Sequence, residues 1–433
     1  MYKDQEFIAL LKSEVKPALG CTEPMAVSLC VARCCEALRS VGIEPQNITV
    51  EVSRNILKNA MGVGIPGTQM VGLQAAVAVA QVCGKSEYGL EVLRDVCEGS
   101  VERAKDVIAQ NSVNIKLAEC EKMLFIKAIC SGGGHSAQVV IEDIHDNITL
   151  VSLDSTVLFN KKECALEAEP PTTTSHINPS VSEIYDFATT VELSKIDFMA
   201  DAVKLNRAIA MEGLSSDYGL QVGRKIYSKM GGEVFGNGVL SYSMALTAAA
   251  SDARMAGSTM TVMSNSGSGN QGITATLPVV AAAEKYNSTN EELLRALTLS
   301  HLVAIHIKQK LGRLSALCGC VVASTGSSCG IVLLKGGGLL EVGYAIKNMV
   351  GNITGMVCDG AKVGCALKVA SGVSAALQSA LLALEGISTS QTDGIIDDDI
   401  ERTLQNLATI GCKGMQYTDA LMLEIMTGKG STL

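Results

Sequence analysis

The chain has no tryptophan, and aromatic residues make up only 3% of its 433 positions. Aromatics usually supply the largest single blocks of buried area, so a core made without them must pack small aliphatic side chains closely. Charged residues are also few, at 18%, and nowhere do Lys and Arg gather into a basic cluster. With a formal net charge of −9, nucleic acid is excluded as an expected partner, because its binding relies on neutralising phosphates. Uncharged stretches do occur, between Arg254 and Glu284 and between Arg313 and Lys335, but Ser, Asn, Gln, Thr and Gly interrupt both. A lipid-facing helix needs about 20 predominantly apolar residues, so both stretches read as buried interior and no membrane association is expected. The opening residues, Met1-Tyr2-Lys3-Asp4-Gln5-Glu6-Phe7, lack the apolar segment of a signal peptide. A cytoplasmic location is therefore expected, where fifteen cysteines, an odd number, stay reduced. Reduced cysteines in that quantity leave packing, catalysis or metal binding as their uses.

What is present is Ala, Val, Leu, Gly and Met, with 47% of residues hydrophobic. The length suggests two domains or three. Apolar positions at Phe7, Ile8, Leu10, Leu11 and Val15 have a helical period, ended by Pro17 and Gly20. A largely apolar helix follows Gly20-Cys21-Thr22-Glu23-Pro24, with Thr22 as a candidate N-cap. The segment 48–52 alternates like a strand, and a Gly-rich loop then precedes a helix at about 69–82 and a more polar one at about 87–109. Strand patterns return around 123–130, 136–142 and 147–153, the first two joined by a turn that carries His135. The fold class expected is α+β: residues 1–168 form an α+β domain with a mostly antiparallel sheet, 169–180 a linker marked by Pro170-Pro171, and 181–433 a larger all-helical domain.

Five of the fifteen cysteines lie between Cys318 and Cys365. Cys318 and Cys320 are two apart. Cys358 and Cys365 bracket Asp359-Gly360 and Gly364, turn formers able to aim both sulfurs at one point. By spacing alone this is either an apolar core using Cys as a small hydrophobe or a metal site assembled from distant loops. Cys21 stands at a helix start, where the dipole and free N–H groups favour a thiolate. Two Gly-x-Gly-x-x-Gly matches, at Gly62–Gly67 and Gly267–Gly272, lack the strand-then-helix setting of a dinucleotide site. The second reads as a tight turn or as a nest of N–H groups for a small anion such as a carboxylate. His301 and His306 are not spaced as metal ligands on a helix and read as capping or packing residues.

Taken together, these motifs resemble the L-cysteine desulfidases, relatives of the iron–sulfur L-serine dehydratase alpha chain. The resemblance rests on Gly20-Cys21-Thr22-Glu23-Pro24, the Lys58–Thr68 loop, Ser266–Gly272, Cys318-Gly319-Cys320, Cys358-Asp359-Gly360-Ala361-Lys362 and Gly414–Asp419, and it covers nearly the whole chain. It implies a [4Fe–4S] cluster with one open iron, held by Cys318, Cys358 and Cys365, with Cys320 as the fallback for Cys318 and no pyridoxal phosphate. It implies Cys21 as the base that takes the α-proton, and a substrate held by Thr22, Glu23, Asn59, Ser266, Gly267, Ser268, Asn270 and Gln271. The implied reaction is β-elimination of L-cysteine to pyruvate, ammonia and sulfide. L-serine or L-threonine dehydration on the same scaffold is the alternative, and a non-catalytic iron–sulfur sensor or small-ligand binding protein is the alternative of another class. A small amino acid is the expected partner, and a homo-oligomer is compatible with the reading. Cys21 would have to close over the other three thiols from the first domain, which is a geometric demand.

Overall fold

A computed structural model describes residues 2–161, 177–312 and 315–429. Most of the expected linker, 169–176, lies outside them. The α+β class holds, with two bodies of core that exchange elements.

The first core is built on a six-stranded sheet ordered β3-β2-β4-β5-β6-β7. Its strands are β2 (Asn47–Val52), β3 (Val113–Leu117), β4 (Phe125–Gly132), β5 (His135–Glu142), β6 (Ile148–Leu153) and β7 (Thr156–Asn160). Only the β2–β3 pair is parallel. Strand β4 alternates strictly, burying Ile126, Ala128 and Cys130 beneath α2 (Thr22–Arg39) and α4 (Leu73–Cys83). Both helices are apolar nearly all round, as buried helices are. The Cys30 and Cys34 thiols donate to the Val139 and Ala137 carbonyls at 3.3 and 3.2 Å, so these cysteines serve packing. Sequence alternation missed β3 and β7 because they are edge strands, half-exposed or more on both faces. The single helix expected at 87–109 is two pieces, a 3₁₀ turn at Ser86–Glu91 broken at Gly89 and then α5 (Glu98–Ala109).

The second core is helical. Helices α7 (Ala200–Ser215), α10 (Val239–Met255), α11 (Gly269–Tyr286), α12 (Asn290–Leu311), α13 (Gly319–Leu334), α14 (Leu339–Ile353) and α15 (Cys365–Leu384) pack on one another. Small residues set the spacing. A Cβ on Gly326 of α13 would overlap the Ser300 carbonyl of α12, so the two backbones touch. Several Ser and Thr residues of the uncharged stretches bond inside their own helices, as Thr325 does to the Val321 carbonyl at 2.8 Å, whereas Ser264 reaches the Lys16 carbonyl at 2.7 Å. Helix α15 is the one helix among the described residues with the length and apolar composition of a membrane span. Slightly more than half of it is buried, against α10, α13 and α14, as a core helix would be.

Three elements tie the two cores together. Helix α1 (Asp4–Glu14) lies in the helical core, its Phe7 ring stacked on Phe187 of α6 (Val181–Thr190) at 4.5 Å. Strand β1 (Pro17–Leu19) pairs antiparallel with β8 (Thr261–Met263). Three-residue strands carry no readable periodicity, which is why neither was expected. Helix α17 (Gln416–Thr427), near the other end, adds Leu423 to the sheet's core. Its Asp419 pairs with the buried Lys58 of α3 (Arg54–Ala60).

Candidate active site

Four helix N-termini meet at one cavity of about 120 Å³ between the two cores. They belong to α2, whose N-cap is Cys21; α11, whose N-cap is Ser268; α13, whose N-cap is Cys318; and α15, whose first residue is Cys365. Each brings unpaired N–H groups and the positive end of a dipole, so the cavity suits negative charge.

Main-chain bonds bring the distant cysteines together. The Cys318 amide donates to the Met356 carbonyl at 2.9 Å, and the Cys358 amide to the Ala316 carbonyl at 2.6 Å. This short antiparallel ladder, with Leu317 opposite Val357, seats Cys318 beside Cys358. The chain then turns through Gly360 (φ +91°), where any Cβ would overlap the Lys58 carbonyl. Only glycine meets both demands. The turn closes with the Cys365 amide on the Lys362 carbonyl at 2.9 Å. From the other side, Gly62 bridges to Lys362 and the Gly64 amide donates to the Met255 carbonyl at 3.0 Å. The first Gly-rich loop thus buttresses the cysteine turn.

Cys318, Cys320, Cys358 and Cys365 all line the cavity, and so does Cys21. Cys21 packs in a small cluster with Val63 and Met255, against which Cys365 also packs. The approach from the first core that the sequence demanded is present. Cys329 is buried in α13, away from the cavity. The Cys320 thiol lies 3.2 Å from the Cys318 sulfur. That neighbour, with Lys368 adding its charge, lowers the Cys318 proton affinity against the effect of burial, and the Cys318 sulfur, followed by burial, raises that of Cys320.

Cys21 departs from expectation. Burial, followed by the adjacent Glu23 carboxylate, pushes its thiol well above the usual range, and the Arg254 charge offsets this only in part. The helix start does not leave a ready thiolate here. Its Sγ donates to Glu23 Oε2 at 3.0 Å. Burial alone would raise the Glu23 carboxyl, but His145, the Cys21 donor, its own amide and Arg254 hold it below the usual carboxylate range. Asn59 Nδ2 donates to Glu23 Oε1 at 3.0 Å, and Thr22 Oγ1 lies 2.9 Å from the Gly267 carbonyl and 3.1 Å from Glu23 Oε2.

Of the residues named for substrate binding, Thr22, Glu23, Asn59, Ser268, Asn270 and Gln271 line the cavity, whereas Ser266 and Gly267 do not. The Ser266 hydroxyl donates to Asn265 Oδ1 at 2.9 Å. His301 explains that loop: its ring meets Asn265 Nδ2 at 3.1 Å and Thr276 Oγ1 at 3.0 Å, and burial holds it neutral, with a pKa of about 3. His135 lies at an exposed turn beside Asp154 at 2.9 Å, and it does not line the cavity.

Sequence reasoning missed Arg254, Lys308 and Lys368, all of which line the cavity. Lys308 is lowered to about 8 by burial. Lys368 donates to the Val357 carbonyl at 2.9 Å and pairs with Asp359. The signal available for Arg254 was a charged pair, with Asp252, at the end of an otherwise uncharged Ala-rich helix.

A family model for the serine dehydratase alpha chain matches residues 87–424. The chain belongs to that family. Curated relatives extend the match over the full length, each named only UPF0597 protein. They include one from Bacteroides thetaiotaomicron, 49% identical over 427 residues, and one from Phocaeicola vulgatus, 50% identical over 430 residues. A third, from Shewanella halifaxensis, is 42% identical over 438 residues, and in all three the match covers 98% of both chains. Serine dehydratase alpha chains are in general iron–sulfur dependent. Among the described residues, no three His, Cys, Asp or Glu side chains converge as ligands of a single ion do. A cubane cluster makes a different demand, since each thiolate binds its own iron. Thiols from two segments, Cys318 on one and Cys358 and Cys365 on the other, face one cavity rimmed by helix N-termini and lysines and fit that demand.

Proposed function

We propose that the chain is an iron–sulfur-dependent lyase that converts L-cysteine and water to pyruvate, ammonia and sulfide. The observation that carries this reading is the single cavity lined both by Cys21 and by Cys318, Cys358 and Cys365. These last three would hold a [4Fe–4S] cluster, with the Cys320 sulfur 3.2 Å from that of Cys318. When bound, such a cluster supplies a Lewis-acidic iron that eases departure of the β-substituent. The chain's own residues supply the rest. Asn270 and Gln271, at the first turn of α11, bind the amino acid. Cys21 and Glu23 act as one unit: as the sulfur takes the proton from Cα, its own proton passes across the 3.0 Å bond through Glu23 to the departing sulfide, so that Glu23 ends as a carboxylate and Cys21 as a thiol. The electron pair of the C–H bond forms the Cα–Cβ double bond as the C–S bond breaks. Aminoacrylate then tautomerises to an imine, which water hydrolyses to pyruvate and ammonia. Burial of Cys21 and Glu23 keeps solvent from competing for that proton.

L-serine is the competing substrate, favoured by the description of the matching family. Anaerobic preparation with iron and sulfide supplied, followed by parallel assays of sulfide from L-cysteine and pyruvate from L-serine, separates the two. Iron bound with no product from either substrate would defeat the lyase reading.

A further inference from the structure

Three buried side-chain atoms that line the cavity have no hydrogen-bond partner: Arg254 Nε, Gln271 Oε1 and Asn59 Oδ1. Arg254 is the most demanding of them. Its side chain is 3% exposed, and its one side-chain partner is Asn270, whose Oδ1 accepts from Nη1 at 3.2 Å. Among the described residues it forms no ion pair with any carboxylate. A guanidinium is always charged; the Glu23 carboxylate feels its field without touching it, and a buried charge with no ion in direct contact is costly. The guanidinium lies against Gly269, where any Cβ would overlap Nε, so the chain keeps a side chain out of the space that the cation occupies. Gly269 is also the first residue of α11, whose free N–H groups and dipole face the same cavity.

We infer that Arg254, held by Asn270 and the bare surface of Gly269, is the counter-charge for the α-carboxylate of the amino-acid substrate. This rests on the lyase reading for the identity of the reaction but not for the contact itself. The three unpartnered atoms are one cationic donor and two acceptors, which suits a ligand with a carboxylate at one end and an ammonium at the other. Amines that lack the carboxylate, and amides or esters that mask it, lose the Arg254 contact.

The test uses L-alanine, which has both ends and no β leaving group, and L-alaninamide, which lacks the negative charge. Binding to the iron-loaded chain is measured by calorimetry. L-alanine binds the wild type and is weakened about 100-fold by Arg254→Gln, the scale of breaking a buried charged contact. Arg254→Lys recovers part of the loss, and Gly269→Ala, which displaces the guanidinium, reproduces much of it. L-alaninamide binds the wild type weakly and is unaffected by Arg254→Gln. A merely structural role for Arg254 would weaken both ligands alike, and that result overturns the assignment. So does the absence of L-alanine binding to the wild type, or unchanged binding in a folded Arg254→Gln chain. Because no turnover is needed, an Arg254-dependent L-alanine site in a chain that releases neither sulfide nor pyruvate would defeat the lyase reading and leave this one standing.

Discussion

The Cys21 thiol and the Glu23 carboxylate, two residues apart at the start of α2, share a buried hydrogen bond of 3.0 Å. Neither side chain can be described alone. The carboxylate raises the thiol's hold on its proton, and the thiol steadies the carboxylate's charge. A thiol this buried is a poor base by itself, and in the proposed reaction it acts only with a neighbour that relays its proton onward.

Removing either member should therefore cost similar rate. Cys21→Ala and Glu23→Gln are each expected to lower kcat by about 10²- to 10⁴-fold, the range of general base catalysis. Iron content should stay normal in both. Steady-state kinetics beside an iron assay check this, and a Glu23→Gln chain with full kcat would separate Glu23 from the base.

The thiols of the cavity should divide into ligands and neighbours. Serine at Cys318, Cys358 or Cys365 is expected to cut bound iron to a small fraction and to remove the visible absorbance of the anaerobic preparation. Serine at Cys320 or Cys329 should leave iron near its normal level. An inverted result at Cys318 and Cys320 would exchange their roles.

The Lys58–Asp419 pair joins α3 to α17, with the lysine only 2% exposed. Asp419→Ala leaves that ammonium buried and unpaired and should destabilise the fold by about 3 kcal/mol. Replacing both residues together, Lys58→Met with Asp419→Leu, should recover most of the loss. Urea midpoints of the three variants and the wild type test the ranking.

Glu401 predicts an acid limb in stability. Burial would raise its carboxyl, but His306 Nε2 at 2.8 Å, the Val181 amide at 2.8 Å and Lys310 at 3.0 Å bring it down to about 2. The folded state thus holds this proton less tightly than the unfolded chain does. Its stabilisation is complete above the ordinary carboxylate value of about 4.5 and is lost as pH falls from there toward about 2. Glu401→Gln should flatten that part of a stability-against-pH curve and leave the neutral region lower.

Much of the site could be read from residues next to one another in sequence. Gly20-Cys21-Thr22-Glu23-Pro24 announces a thiol at a helix start, and Asp359-Gly360 announces the turn between two cysteines. The direction of the Cys21 shift could not be read, because it depends on burial contributed by Val63, Met255 and the cysteine turn. Ser266 was named for its hydroxyl, but the hydroxyl turns to Asn265, which His301 holds from another helix. Arg254 reads in sequence as an ordinary basic residue in a last helical turn, and only the folding of α11 against α10 sets it at Gly269. In the fold, alternation found β4 and β5 because one face of each is buried. It missed β1 and β8 because each is three residues long.

The Gly360 turn has a consequence for how this molecule is made. It rests on the Lys58 carbonyl, and the Lys58 ammonium is held by Asp419. The cavity thus draws on α3, on the turn at Gly360 some 300 residues later and on α17. No nascent fragment that stops short of Asp419 contains all of these parts. The cavity closes late, over contacts separated by hundreds of residues, which are slow to form. Any cofactor loaded into the closed cavity meets a chain already synthesised at least as far as Asp419.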